Sequence, residues 1–192
     1  KKPKINFDSF EKSFASLKKL SLEESMSLIK EDLSNLGISH DSFISETHLV
    51  EKNLVTDAIH RLKKKDYVVE GFLEPPKGEA DKNWKKTKRL IFKSTLFGDD
   101  TDRAMQKNDG SWTYFANDVG YHMDKVNRNY EYLVNVLGAD HTGYIKRITA
   151  AVSALSENKV KLNCKVCQLV KLYKDGKPFK MSKRAGDFIS AE

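Results

Sequence analysis

Between residues 111 and 173 strand-like and helix-like stretches alternate, and no other feature of the sequence narrows the possible folds as much. "SWTYFA" reads as a strand, "NDVGYHMDKVNRNY" as a helix, "EYLVNVLG" as a strand, "HTGYIKRITAAVSALS" as a helix and "KLNCKVCQLVKLY" as a strand. Elements of these lengths in this order call for parallel strands joined by right-handed helical crossovers, as in nucleotide-binding α/β folds. Ligands in such folds collect where strands end and helices begin. That directs attention to "YFAND", "LGADHTGY" and the segment after "VKLYKDGKP".

The preceding residues have a different texture. In "SLEESMSLIKEDLSNLGI" a capping box of Ser21 and Glu24 opens a helix whose Leu22, Met26, Ile29, Leu33 and Leu36 recur at helical spacing, and Gly37 ends it. Upstream, "FDSFEKSFASLKKL" is weakly helical, and Phe7, Phe10 and Phe14 form a stripe expected to pack in a core or between domains. "HDSFISE" and "DYVVEGFLEPP" are expected strands, separated by a short helix at 54–65 whose terminal Lys63, Lys64 and Lys65 suit a solvated helix end. "PPKGEADKNWKK" is turn-rich, "RLIFKST" is a further strand, and "FGDDTDRAMQKNDGS" reads as a long solvated loop. Its Asp99, Asp100 and Asp102 lack the spacing of a calcium loop. Cys164 and Cys167 form a lone Cys-x-x-Cys pair without the four ligands zinc needs. Strand alternation points them to opposite faces, and two buried structural thiols in a reducing compartment are expected.

Charge adds a preference for partners. The chain of 192 residues carries 34 Lys and Arg against 27 Asp and Glu, a net charge of +7 and a pI near 9.2, which favours polyanions such as nucleic acid or nucleotide phosphates. No apolar run approaches the roughly 20 residues a membrane span requires, and the lysine-led start lacks a signal segment. A cytoplasmic protein without a membrane partner is expected.

Three segments can carry chemistry. Tyr114 and Asp118 lie four residues apart at a strand end and helix start, where a phenol and a carboxylate could grip a cationic group; a guanidinium would donate two parallel hydrogen bonds to Asp118. An N-cap aspartate beside a core tyrosine is the plainer alternative. In "NVLGADHTGY", Gly138 and Ala139 let a planar ligand approach the backbone, and Asp140 or His141 could contact a ribose or a substrate. In "KDGKPFKMSKRAG", a hairpin turn at Asp175 and Gly176 precedes a loop crowded with Lys180, Lys183 and Arg184. Such a loop suits a triphosphate, whose charge builds as the α-phosphorus is attacked. A basic surface turn is the alternative.

"KMSKRAG" resembles the Lys-Met-Ser-Lys-Ser signature of class I aminoacyl-tRNA synthetases. The wider strings "STLFGDDTDRAMQKNDGSWTYFANDVGYHMDK", "NVLGADHTGYIKR" and "CQLVKLYKDGKPFKMSKRAGDF", in this order and spacing, look like bacterial arginyl-tRNA synthetase, with a weaker likeness reaching back to about Ser21. The resemblance implies that Tyr114 and Asp118 hold the arginine side chain and that Asp140 and His141 lie near the amino acid and adenosine. It assigns Lys180 and Lys183 to the catalytic signature loop, with Met181, Ser182 and Lys183 at the ATP. Arg184 stands in place of the signature's final Ser.

The reaction implied is ATP-dependent formation of arginyl-adenylate, with Mg-ATP as substrate and no tightly bound cofactor, followed by transfer to tRNA(Arg). The intact enzyme is expected to be a monomer. The family's His-x-Gly-His element is absent from the sequence, so the chain reads as a fragment that does not catalyse the full reaction alone. The expected fold class is α/β, a partial Rossmann-type nucleotide-binding domain with an α+β insertion. Its expected divisions are a helical segment at 1–37, an insertion-like region at 38–110, and the second half of the catalytic domain at 111–192, ending in the signature loop. Two other functions compete: a noncatalytic basic RNA-binding module, and another class I-like nucleotidyl transferase.

Overall fold

The fold comes from a computed structural model that describes residues 9–73 and 87–179. The chain divides into two compact units, 1–43 with 171–192, and 44–170. In the first, helix α1 runs without a break over Phe10–Asn35. Ser9 caps it, its hydroxyl accepting from the Lys12 N–H at 3.4 Å. The expected start at Ser21 is therefore displaced by a full three turns. "FEKSFASLKKL" holds no Gly or Pro and consists mostly of good helix formers, so nothing stops the helix from extending back to Ser9. Its end is as expected: Gly37 adopts φ 72°, the Ile38 N–H bonds the Leu33 carbonyl at 2.8 Å, and the Gly37 N–H bonds that of Ser34 at 2.9 Å. Phe10 and Phe14 are exposed, with ring centroids 5.4 Å apart, rather than packed in a core; Phe7 lies outside the described residues.

The second unit opens with α2 (Glu46–Glu51) and α3 (Leu54–Lys63). "HDSFISE" forms no strand and pairs with none among the described residues; its Ser45 instead takes extended backbone as the N-cap of α2. Strands β1 (Val68–Gly71), β2 (Arg89–Phe92) and β3 (Arg103–Ala104) make an antiparallel sheet in that order, with Val68 opposite Phe92 and Ile91 opposite Ala104. "SWTYFA" is not a strand either. Only Trp112 makes a single bridge, to Gln106, and α4 begins at once over Tyr114–Val126 because the Thr113 hydroxyl accepts from the Ala116 N–H at 3.1 Å.

Then comes the anticipated parallel crossover. Strand β4 (Tyr132–Gly138), a 3-10 turn (Ala139–Tyr144), α5 (Ile145–Ser156) and β5 (Lys161–Cys167) follow in turn. β4 and β5 pair in parallel from Tyr132 opposite Lys161 to Gly138 opposite Cys167. The chain is thus α/β. Cys164 and Cys167 do face opposite sides of β5, but only Cys164 is half-buried against the core while Cys167 is exposed, which corrects the expectation of two buried thiols. Back in the first unit, β6 (Leu172–Lys174) and β7 (Lys177–Phe179) form a hairpin across Asp175 and Gly176, at φ 52° and 72°.

The core of the second unit is built where α3, α4 and α5 meet β1 and β2. Ala58 and Leu62 of α3, Ala116 and Val119 of α4, Ile148 and Leu155 of α5, and Phe92 of β2 are fully buried there. The helices come very close at one point. A methyl group added to Gly120 of α4 would lie 2.9 Å from Val55 Cα of α3, so glycine is what lets the two helices meet. The "long solvated loop" is also more structured than expected. Asp99 is buried and takes both a bidentate pair from Arg103, at 2.6 and 2.7 Å, and the Ser94 hydroxyl at 2.9 Å. Asp100 pairs with Lys146 at 2.7 Å, and Asp102 accepts from Thr95 at 2.7 Å.

Candidate functional site

A cleft of about 690 Å³ opens in the second unit where α4 begins and β4 ends. Its apolar wall includes Leu49, Val50 and Val55 from α2 and α3; the opposite side is Tyr114, Asn117, Asp118 and Tyr121 on α4, with His141 and Tyr144 from the turn after β4. The N-cap at Thr113 decides which α4 side chains face in. With Tyr114 as first helical residue, Asp118 and Tyr121 follow at the four- and three-residue steps that stack on one helix face.

Asp118 sits about two-thirds buried, its side chain 31% exposed. Burial alone pushes its carboxyl up, but hydrogen bonds from His122 and the Tyr144 hydroxyl, with the charge of Lys125 nearby, outweigh this and hold it below the usual carboxylate range. The Tyr144 phenol, buried and facing that carboxylate, is pushed well above its ordinary value and stays protonated as a donor. Tyr114 is 89% exposed at the rim, with Lys107 Nζ 5.7 Å from its ring centroid.

Behind Asp118 lies a second polar layer. His122 is buried, with Nδ1 2.9 Å from the Asp118 carbonyl oxygen and 3.4 Å from Asp118 Oδ1. Its Nε2 is 2.9 Å from Asn135 Nδ2, and Asn135 Oδ1 accepts from Lys125 Nζ at 2.9 Å. Burial lowers the Lys125 ammonium's affinity for its proton, opposed by the Asp118 charge.

Of the residues singled out from sequence, Tyr114, Asp118 and His141 meet in this one cleft. Asp140 does not line it; its Oδ2 lies 3.6 Å from His141 Nε2 on an exposed turn. Asp118 is no N-cap, since Thr113 fills that role five residues earlier. Lys180, Met181, Ser182 and Lys183 lie outside the described residues. Tyr121, His122, Lys125, Asn135 and Tyr144 escaped the sequence reading. The four-residue step from Asp118 to His122 was a readable signal, whereas Asn135 reaches the site only through the fold.

The fold and cleft define an α/β protein with a carboxylate-bearing, aromatic-edged pocket after a parallel strand, the usual ligand position in that class. The chain is similar to part of the arginyl-tRNA synthetases. It is 61% identical over 188 residues to an arginine-tRNA ligase of Pelagibacter ubique, covering 98% of this chain and 33% of the relative. It is 54% identical over 165 residues to that of Roseobacter denitrificans, covering 86% of this chain and 28% of the relative. A crystal structure from Campylobacter jejuni assigned as an arginyl-tRNA synthetase matches with a TM-score of 0.70 at 33% identity, over 92% of this chain and 35% of that one. The chain therefore spans about a third of the length of the curated relatives it matches. No protein-family model matches it.

Proposed function

We propose that this chain is part of an arginine-tRNA ligase and that the α4 cleft holds the side chain of arginine. The observation that carries the reading is Asp118, a carboxylate kept ionised under burial in a cleft lined by aliphatic and aromatic side chains together with a few polar ones, Glu46 and Asn117 among them. That combination suits a ligand with an apolar stem and a planar cation. The guanidinium donates two parallel hydrogen bonds to Asp118, and Tyr114 at the rim closes over it. His141, and Asp140 beside it, lie toward the α-amino acid end and the adenosine.

In the complete enzyme the arginine carboxylate attacks the α-phosphorus of Mg-ATP, pyrophosphate leaves, and the terminal ribose of tRNA(Arg) takes the arginyl group. Positioning and charge stabilisation supply the catalysis. Lys180 and Lys183 of the signature loop, with Met181 and Ser182, serve the ATP phosphates. In this reading residues 1–37 are a helical segment, 38–110 an insertion, and 111–192 the second half of a Rossmann-type catalytic domain. The enzyme is a cytoplasmic monomer, and residues 1–192 alone are inactive for want of the His-x-Gly-His element.

The test is arginine-dependent ATP–pyrophosphate exchange, with tRNA(Arg) present, by the complete polypeptide that carries this chain. Asp118→Ala is expected to raise the KM for arginine about 100-fold, the loss of a charge-assisted bidentate pair, while the KM for ATP stays near its starting value. An unchanged KM for arginine would refute the cleft assignment.

A further inference from the structure

We propose that Lys125, Asn135 and His122 form a positioning relay that aims the Asp118 carboxylate into the cleft. None of the three lines the cleft, so each acts through Asp118 rather than on a ligand. The inference rests on the reading of Asp118 as the arginine-binding group.

The direction of the relay follows from what each atom can do. An ammonium only donates, so the oxygen of Asn135 must face Lys125 Nζ, which it does at 2.9 Å. The Asn135 amide nitrogen is then turned to His122, 2.9 Å from Nε2, and must donate to it. Nε2 is left as an acceptor, and the ring hydrogen is assigned to Nδ1. Nδ1 lies 2.9 Å from the Asp118 carbonyl and 3.4 Å from Oδ1, so its N–H is aimed at both ends of the residue it serves. Flipping the Asn135 amide would set its NH2 against the ammonium, and moving the ring hydrogen to Nε2 would set a donor against a donor. Lys125 thereby fixes the ring through one amide.

The layout is also mechanical. Asn135 lies on the inner face of β4, between the outward Val134 and Val136, and His122 is on α4 one turn beyond Asp118. The relay ties the carboxylate to the parallel sheet as well as to its own helix. Lys125 also stands over the Tyr121 ring at 4.4 Å, so a change there touches the cleft by a second route that a change at Asn135 avoids.

The experiment compares Asn135→Leu, Lys125→Met, Lys125→Arg and Asp118→Ala in the complete polypeptide, reading KM for arginine, KM for ATP and melting temperature. It adds the ring nitrogen resonances of His122. Asn135→Leu and Lys125→Met are expected to raise the KM for arginine about tenfold with the KM for ATP unchanged, the value of one well-aligned hydrogen bond. Lys125→Arg, which still donates to Asn135, restores it. The His122 nitrogens are expected to report Nδ1–H in the parent and a mixture of tautomers in Asn135→Leu.

If Asp118→Ala raises the KM for arginine but Asn135→Leu and Lys125→Met do not, the relay is wrong and the cleft reading stands. An Asp118→Ala variant whose KM for arginine is unchanged overturns the cleft reading itself. A parallel rise in both KM values with a lowered melting temperature would make the three residues merely structural. Should Asn135→Leu fail to fold, Asn135→Ala, which removes the amide without adding bulk and leaves the Lys125–Tyr121 contact alone, decides the matter.

Discussion

Two aspartates, Asp99 and Asp118, each meet a cost of burial and are put to different ends. Both are held below the usual carboxylate range against that cost, Asp99 by Arg103, Ser94 and the Asp100 N–H, Asp118 by His122 and Tyr144. Asp99 spends all its bonding capacity inside the protein, so it pins the segment after β2 and has none left for a ligand. Replacing it with Asn leaves Arg103 without its charge partner, and Asp99→Asn is expected to cost about 3 kcal/mol in urea unfolding at neutral pH. Because the folded carboxyl titrates below its unfolded value, its contribution is complete above about pH 4 and is lost as pH falls through the lower folded value. The gap between parent and Asp99→Asn should therefore be flat near neutrality and shrink in acid. At this scale the sequence was partly legible. Tyr114 and Asp118 could be paired from spacing alone, but the duty of His122 depends on Asn135, thirteen residues further on and across a helix-to-strand gap.

At the scale of elements, pattern succeeded where one face was buried and failed where a cap decided. Helix α3 and strands β1, β2 and β4 stand where periodicity expects them, whereas the single strand expected in "KLNCKVCQLVKLY" ends as β5 at Cys167, and Leu172 and Tyr173 belong to β6, which pairs with β7. "SWTYFA" has the composition of a strand, yet Thr113 captures the Ala116 N–H and turns Tyr114 into the first residue of α4. "HDSFISE" looks equally extended but joins no ladder among the described residues, and strand propensity without a partner decides little. The meeting of α3 and α4 was not legible at all, since Gly120 carries no apolar signal. Gly120→Ala is expected to destabilise the second unit by about 1–3 kcal/mol in urea unfolding, as the new methyl meets Val55 backbone that cannot rotate aside.

For the whole molecule, the α/β class and the parallel crossover followed from the alternation of elements, while the split into two units did not, because it joins residues 1–43 with 171–192 across the sequence. Stability is unevenly spread. α5 buries Ile148, Ala150, Ala151, Val152, Ala154 and Leu155, whereas α1 buries only Ser13 and exposes Leu22, Leu28 and Ile29. Hydrogen exchange followed by mass spectrometry should find the amides of α4 and α5 slowest and those of α1 exchanging by local opening, orders of magnitude sooner. Equal protection in α1 and α5 would contradict this distribution. The contact of Gly120 with Val55 bears on selectivity in another way. Val55 is itself part of the cleft wall, and Asp118 stands half a turn from Gly120. The gap between wall and carboxylate is consequently gauged by main chain against main chain, not by side chains that can change rotamer. On the proposed reading of the cleft as the arginine site, such a fixed calliper favours a side chain of one girth over a thicker or thinner one.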